Sequence, residues 1–172
     1  NSARGGALFV DTSSQAWVEQ CTFIENAAPY GGAIRCSDAQ GIVIDKCLFK
    51  NNGSAGGIMA LGGGAFSSLR AVSMTIANSY FLGNTANSGG ALYLDGNPGE
   101  ALVANCIFAA NTAAIGGGMR IYSCQTDITN CTFYANKATN NNSGRSIAML
   151  TSSLLRTINN SILWEGGYEI YG

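Results

Sequence analysis

Two short phrases alternate along this chain, and they limit its fold more tightly than anything else in it. The first is Gly-Gly followed by small and apolar residues: GGALFV from Gly5, GGAIRC from Gly31, GGAFSS from Gly63, GGALYL from Gly89 and GGMRIY from Gly117. The second ends in Phe-x-x-Asn: Cys21–Asn26, Cys47–Asn52, Ser79–Asn84, Cys106–Asn111 and Cys131–Asn136, with a decayed sixth copy, SILWEG, at Ser161–Gly166. Phe23, Phe49, Phe81, Phe108 and Phe133 recur at nearly even intervals, with one longer gap before Phe81, and Leu163 continues the series. The second glycine keeps one fixed distance from the phenylalanine in three copies: Gly6 to Phe23, Gly32 to Phe49 and Gly64 to Phe81. The extra length before Phe81 therefore reads as an insertion near Gly53–Gly62, a loop on one face. A unit this short cannot bury an apolar face alone, so neighbouring units must stack.

Within each unit the apolar residues recur with period two, the strand period. Leu8, Ile34, Phe66 and Leu92 form one expected inward row, and Val10, Cys36, Ser68 and Leu94 the next. The intervening row, Phe9, Arg35, Ser67, Tyr93 and Arg120, is mixed and is expected to face outward. Glycine and β-branched residues interrupt every helical window. The expected fold is all-β: a right-handed parallel β-helix of about six coils with three short strands per coil, residues 1–172 forming one domain. Equivalent residues on successive coils then stack ~4.8 Å apart. Phe23, Phe49, Phe81, Phe108 and Phe133 become an aromatic ladder. Asn26, Asn52, Asn84, Asn111 and Asn136 become an asparagine ladder at a turn, where the side chain can bond the turn backbone and the next asparagine.

Composition excludes several classes. The net charge of −1 offers nothing to nucleic acid or to an anionic membrane surface. No apolar run reaches the ~20 residues of a membrane helix. Hydrophobic residues make up 47% of the chain, which argues against disorder. The chain opens at Asn1 inside a repeat, so it reads as a segment of a longer array.

The alternating GGA-[ILV] and FxxN phrases resemble the passenger repeats of the chlamydial polymorphic outer-membrane proteins, over nearly all of residues 5–166. The resemblance implies a secreted, surface-displayed β-helix used for adhesion or as a structural stalk. The sixth copy lacks the Gly-Gly and the Asn, while Glu169-Ile170-Tyr171 reads as the start of another strand.

Cys21, Cys47, Cys106 and Cys131 share one column, with Ser79 and Ser161 between. Adjacent rungs bring such residues within the Cα range of a disulfide, but stacked side chains are poorly aimed for one, so a disulfide and a ladder of buried thiols both stay open. With no histidine and no CxxC, no metal site and no Ser-His or Cys-His catalysis is expected, nor any cofactor. Asp11 and Asp95 share a repeat position but stand three coils apart, ~14 Å, too far for a glycosidase pair. No catalytic residue is assigned, and the chain is not expected to be an enzyme. Phe9, Arg35, Tyr93 and Arg120 are a candidate surface binding stripe. Asn141, in the polar stretch Thr139–Gly144, is the best of four sequons as a glycosylation acceptor.

The expected function is therefore a non-catalytic extracellular or cell-surface β-helix, a stalk, passenger or filament subunit. The expected partner is a protein or glycan on a cell surface or matrix, or another copy stacked end to end. The alternative is a polysaccharide-binding or polysaccharide-degrading β-helix of the pectate-lyase-like type.

Overall fold

A computed structural model describes residues 5–54, 62–150, 155–164 and 167–172. The chain winds as a β-solenoid of about six turns whose three long sheets are parallel throughout. Parallel crossovers of this kind wind right-handed. The first sheet stacks Leu8–Val10, Ile34–Ser37, Phe66–Leu69, Leu92–Asp95, Met119–Tyr122, Ile147–Leu150 and Ile170–Tyr171. The second stacks Gln15–Glu19, Gly41–Asp45, Met74–Ala77, Glu100–Ala104, Gln125–Thr129 and Leu155–Asn159. The third stacks Thr22–Ile24, Leu48–Lys50, Tyr80–Leu82, Ile107–Ala109, Thr132–Tyr134 and Ile162–Trp164. The strand begun at Glu169-Ile170-Tyr171 is present, with Ile170 opposite Ile147. Most of the expected insertion near Gly53–Gly62 lies outside the described residues.

Each strand is short because a sharp corner follows it, and most corners use a left-handed residue. Asp38, Arg70 and Ser123 turn the chain after the first sheet, with φ of 54°, 54° and 48°. Lys46, Asn78, Asn105 and Asn130 do so after the second sheet, and Asn51, Ala110 and Ala135 after the third. Alanine and arginine seldom adopt this conformation, so the stacked coils on either side must impose it. At the fourth corner the first glycine of the repeat takes over, as at Gly31 and Gly89, with φ of 64° and 66°. A side chain on the second glycine (Gly32, Gly64 or Gly90) would strike the carbonyl oxygen of the glycine one coil on.

One phrase is framed differently from the sequence reading. Leu92 pairs with Met119 and Gly90 donates to the carbonyl of Gly116, so the phrase begins at Gly116 rather than Gly117. Gly118 then occupies the place of Ala33, Ala65 and Ala91. A Cβ there would lie 2.8 Å from the Ser146 carbonyl and 3.0 Å from the Phe133 ring, and that crowding explains the third glycine.

The interior is filled in columns. Ile34, Phe66, Leu92, Met119 and Ile147 are buried in the first sheet, and Ile44, Ile76, Val103 and Ile128 in the second. The third contributes the phenylalanines, stacked with centroids 4.6 to 4.9 Å apart and planes within 9°. That spacing is the inter-strand distance itself, so the sheet sets the ring stacking. Leu163 follows Phe133 in the same column.

Candidate functional site

The inner asparagine column joins the third sheet to the fourth corner. At Asn84 the side-chain oxygen accepts from the Asn52 backbone N–H at 2.9 Å and from Asn52 Nδ2 at 3.0 Å. Its own Nδ2 donates to the Phe49 carbonyl at 3.1 Å and to Asn111 Oδ1 at 2.9 Å. All four bonding positions of the amide are used. The pattern repeats from Asn26 to Asn136. Asn52 lies inside this ladder, so it is unavailable as a glycosylation acceptor.

The cysteine column is less uniform. Cys47, Cys106 and Cys131 are buried, whereas Cys21 is exposed, and all six cysteines are free thiols. Cys47 and Cys131 each present a backbone N–H to a serine one coil on, Ser79 at 3.0 Å and Ser161 at 3.1 Å. A hydrogen bond shared with Cys131, together with burial, pushes the Cys106 thiol up. Outside this column, burial raises Cys36 to about 11. The Cys36 and Cys106 thiols therefore stay protonated near neutrality and are poor nucleophiles.

The candidate stripe on the first sheet requires correction. Phe9, Arg35, Ser67, Tyr93 and Arg120 do share one outward row. That row is not an open surface, because Arg35 is only 8% exposed and Tyr93 only 2%. The long side chains lie along the sheet instead of standing up from it. The Arg35 guanidinium donates to Ser67 Oγ at 2.5 Å and lies 5.5 Å from the Tyr30 ring. Arg120 leans the other way, over the Tyr93 ring at 5.7 Å, and donates to Ser88 Oγ. Arg120 thus packs on Tyr93, whose hydroxyl donates to Asp95 at 3.0 Å, while Arg35, three rungs from Arg120, reaches the same phenol only through its charge. Burial, reinforced by the Asp95 charge, raises the Tyr93 phenol. Burial likewise lowers Arg35. This cluster is spent on mutual contact.

Other carboxylates are similarly engaged. Asp38 takes two bonds from Arg70, at 2.6 and 2.8 Å, which hold it below the usual carboxylate range. Asp127 accepts from Thr157 at 2.8 Å, and Glu169 from Ser146 at 2.7 Å. Among the described residues no group of three His, Cys, Asp or Glu side chains stands close enough to hold a metal ion. Asn141 is exposed, on a hollow of about 210 Å³ that Arg145 and Tyr168 also line.

Three features escaped the sequence reading. A second asparagine ladder, Asn78, Asn105, Asn130 and Asn160, runs along the outside of the corner between the second and third sheets. Its signal was present, since each of these residues immediately precedes the Ser or Cys of the second phrase. The outer face of the third sheet is mostly apolar: Ile24, Tyr80, Ile107, Tyr134, Ile162 and Trp164 are 37% to 71% exposed, interrupted by Thr22, Lys50 and Thr132. On the second sheet, Gln15, Trp17, Gly41, Val43, Ser73 and Thr75 border a hollow of about 120 Å³.

Residues 78–95 contain both repeat phrases, from the outer-ladder Asn78 through Asn84 to the first-sheet strand that ends at Asp95. They match the family model described as the Chlamydia polymorphic membrane protein repeat. This segment is similar to a repeat of that type. The neighbouring coils superpose the same phrases on it in register, so the solenoid is similar throughout to an array of polymorphic-membrane-protein repeats. No curated protein and no solved structure matches the chain. No helix among the described residues is long and apolar enough to cross a membrane.

Proposed function

We propose that this chain is a non-catalytic β-helix displayed at a cell surface, where it serves as a stalk whose outer faces make adhesive contact. The observation that carries the reading is the unbroken register of phenylalanine and inner asparagine columns through five coils. The interior is devoted to holding the coils in line, which leaves the outer faces to meet a partner. The repeat match at residues 78–95 supports a surface location. The mostly apolar third-sheet face supports contact, because exposed patches of this kind on folded proteins mark interaction sites.

Polystyrene beads coated with the chain test this. On cultured epithelial cells they are expected to attach in excess of albumin-coated beads, and attachment is expected to fall when the coating is heat-denatured first. Equal attachment of native and albumin beads would remove the adhesive role. Incubation with polygalacturonate, chitin or xylan checks the catalytic alternative. New reducing ends or unsaturated products, lost on substitution of one acidic residue, would replace the stalk reading with a polysaccharide-degrading one.

A further inference from the structure

The second sheet carries a hollow that nothing else in the fold explains. Its outward positions form two parallel rows. One holds Gln15, Gly41 and Ser73 on successive rungs, and the other Trp17, Val43 and Thr75. The missing side chain at Gly41 leaves a gap between Gln15 and Ser73, and Trp17 stands beside it with 67% of its surface exposed. A Cβ at Gly41 would meet Ser73 Oγ at 2.9 Å and the Ser73 carbonyl at 3.7 Å, with nothing else within 4 Å. Gly41 has no positive φ, so the backbone does not demand glycine there, and a glycine within a strand often marks a close approach by a ligand or another backbone.

The bordering groups suit one chemistry. An indole offers a flat apolar face, and an amide and two hydroxyls offer donors and acceptors at its edge. No charged side chain lines the hollow. A pyranose has the matching halves: a C–H face that lies on an aromatic ring and a rim of hydroxyls that exchange hydrogen bonds. A charged sugar would find no counter-ion, and a purely apolar side chain would leave the polar rim unpaired. We propose that the hollow binds one hexopyranose unit of a neutral surface glycan, its ring stacked on Trp17 and its hydroxyls bonded to Gln15, Ser73 and Thr75. The proposal rests on the adhesive reading and names the class of ligand contacted.

The chain holds two tryptophans, so Trp164→Phe, remote on the third sheet, leaves Trp17 as sole reporter. In that background, titration with cellohexaose, chitohexaose or maltohexaose is expected to give a saturable change in Trp17 fluorescence with at least one probe. Gly41→Val fills the hollow with a residue that strands favour, so it is expected to keep its urea midpoint while affinity falls about tenfold or more. Trp17→Ala, followed by calorimetry, is expected to weaken binding as much. No response to any of the three sugars overturns the proposal. So does unchanged affinity in the folded Gly41→Val protein, or tighter binding of an oligogalacturonate than of the neutral probes. If wild-type and Gly41→Val beads attach equally well to cells, this site fails and the adhesive role stands. If neither attaches, the adhesive role fails first. Attachment that survives enzymatic removal of cell-surface glycans assigns the contact to a protein and overturns the sugar site.

Discussion

Two asparagine ladders run along this solenoid, one sealed inside and one open to water. In both, each side chain bonds its equivalent one coil away at about 3 Å. The inner residues also hold backbone groups that water cannot reach: Asn84 is 0% exposed, and its amide serves the Asn52 N–H and the Phe49 carbonyl. The outer residues, at φ near 50°, bond mainly to one another where solvent would serve as well. Identical spacing and identical chemistry therefore have unequal consequences, because an unmade hydrogen bond costs most where nothing replaces it.

The largest expected effect is at the inner ladder. Asn84→Ala orphans two donors on Asn52 and an acceptor on Phe49, and should lower stability by about 4 kcal/mol, read from the urea midpoint. A loss as small as that of an outer-ladder variant would erase the distinction. Ionisation draws the same contrast over two positions of one corner. Cys36 is buried, and its folded value of about 11 lies above 9.0, so its contribution is complete below about 9 and is lost as pH rises toward 11. Unfolding followed through that window should show a fall in stability that Cys36→Ala makes smaller by about 2 kcal/mol, the other buried thiols accounting for the rest. Asp38, half-buried beside Arg70, is depressed instead, so its small contribution is present at neutral pH and is lost as pH falls through its folded value. Ser79→Ala removes the acceptor for the Cys47 N–H and should cost about 1 kcal/mol, restored in part by Ser79→Thr. Asn105→Gly, which keeps the left-handed corner at φ 55° while removing the outer-ladder amide, should change the midpoint by no more than about 0.5 kcal/mol. A larger loss would mean that the exposed bonds are cooperative.

The alternation of Phe23, Phe49, Phe81, Phe108 and Phe133 with the five asparagines made the solenoid legible, because so short a repeat with strand-like alternation has few other solutions. The fate of the first-sheet outward row was hidden. Period two says which way Cβ points, and a side chain as long as Arg35 or Arg120 can still lie down over its neighbours. The left-handed corners at Arg70, Ala110 and Ala135 carry no local signature either, since tertiary stacking imposes them. Three consecutive glycines at Gly116–Gly118 left the frame ambiguous by one position, and only the pairing of Leu92 with Met119 resolves it. The Trp17 hollow depends on which residues sit one rung apart. That follows from register, and the period of a repeat is too coarse to give it.

The direction of the inter-coil hydrogen bonds has a mechanical consequence. They lie along the solenoid axis, while the covalent chain winds across it. Tension applied along the axis is therefore borne by one coil's bonds at a time, and the coil at the loaded end peels before its neighbour is disturbed. A coil advances the rod by only ~4.8 Å, yet the chain between Phe23 and Phe49 reaches roughly 90 Å when drawn straight. Each coil that lets go relaxes the load on those still wound, so an array of such coils behaves as a series of extensible stages and yields by steps before it breaks.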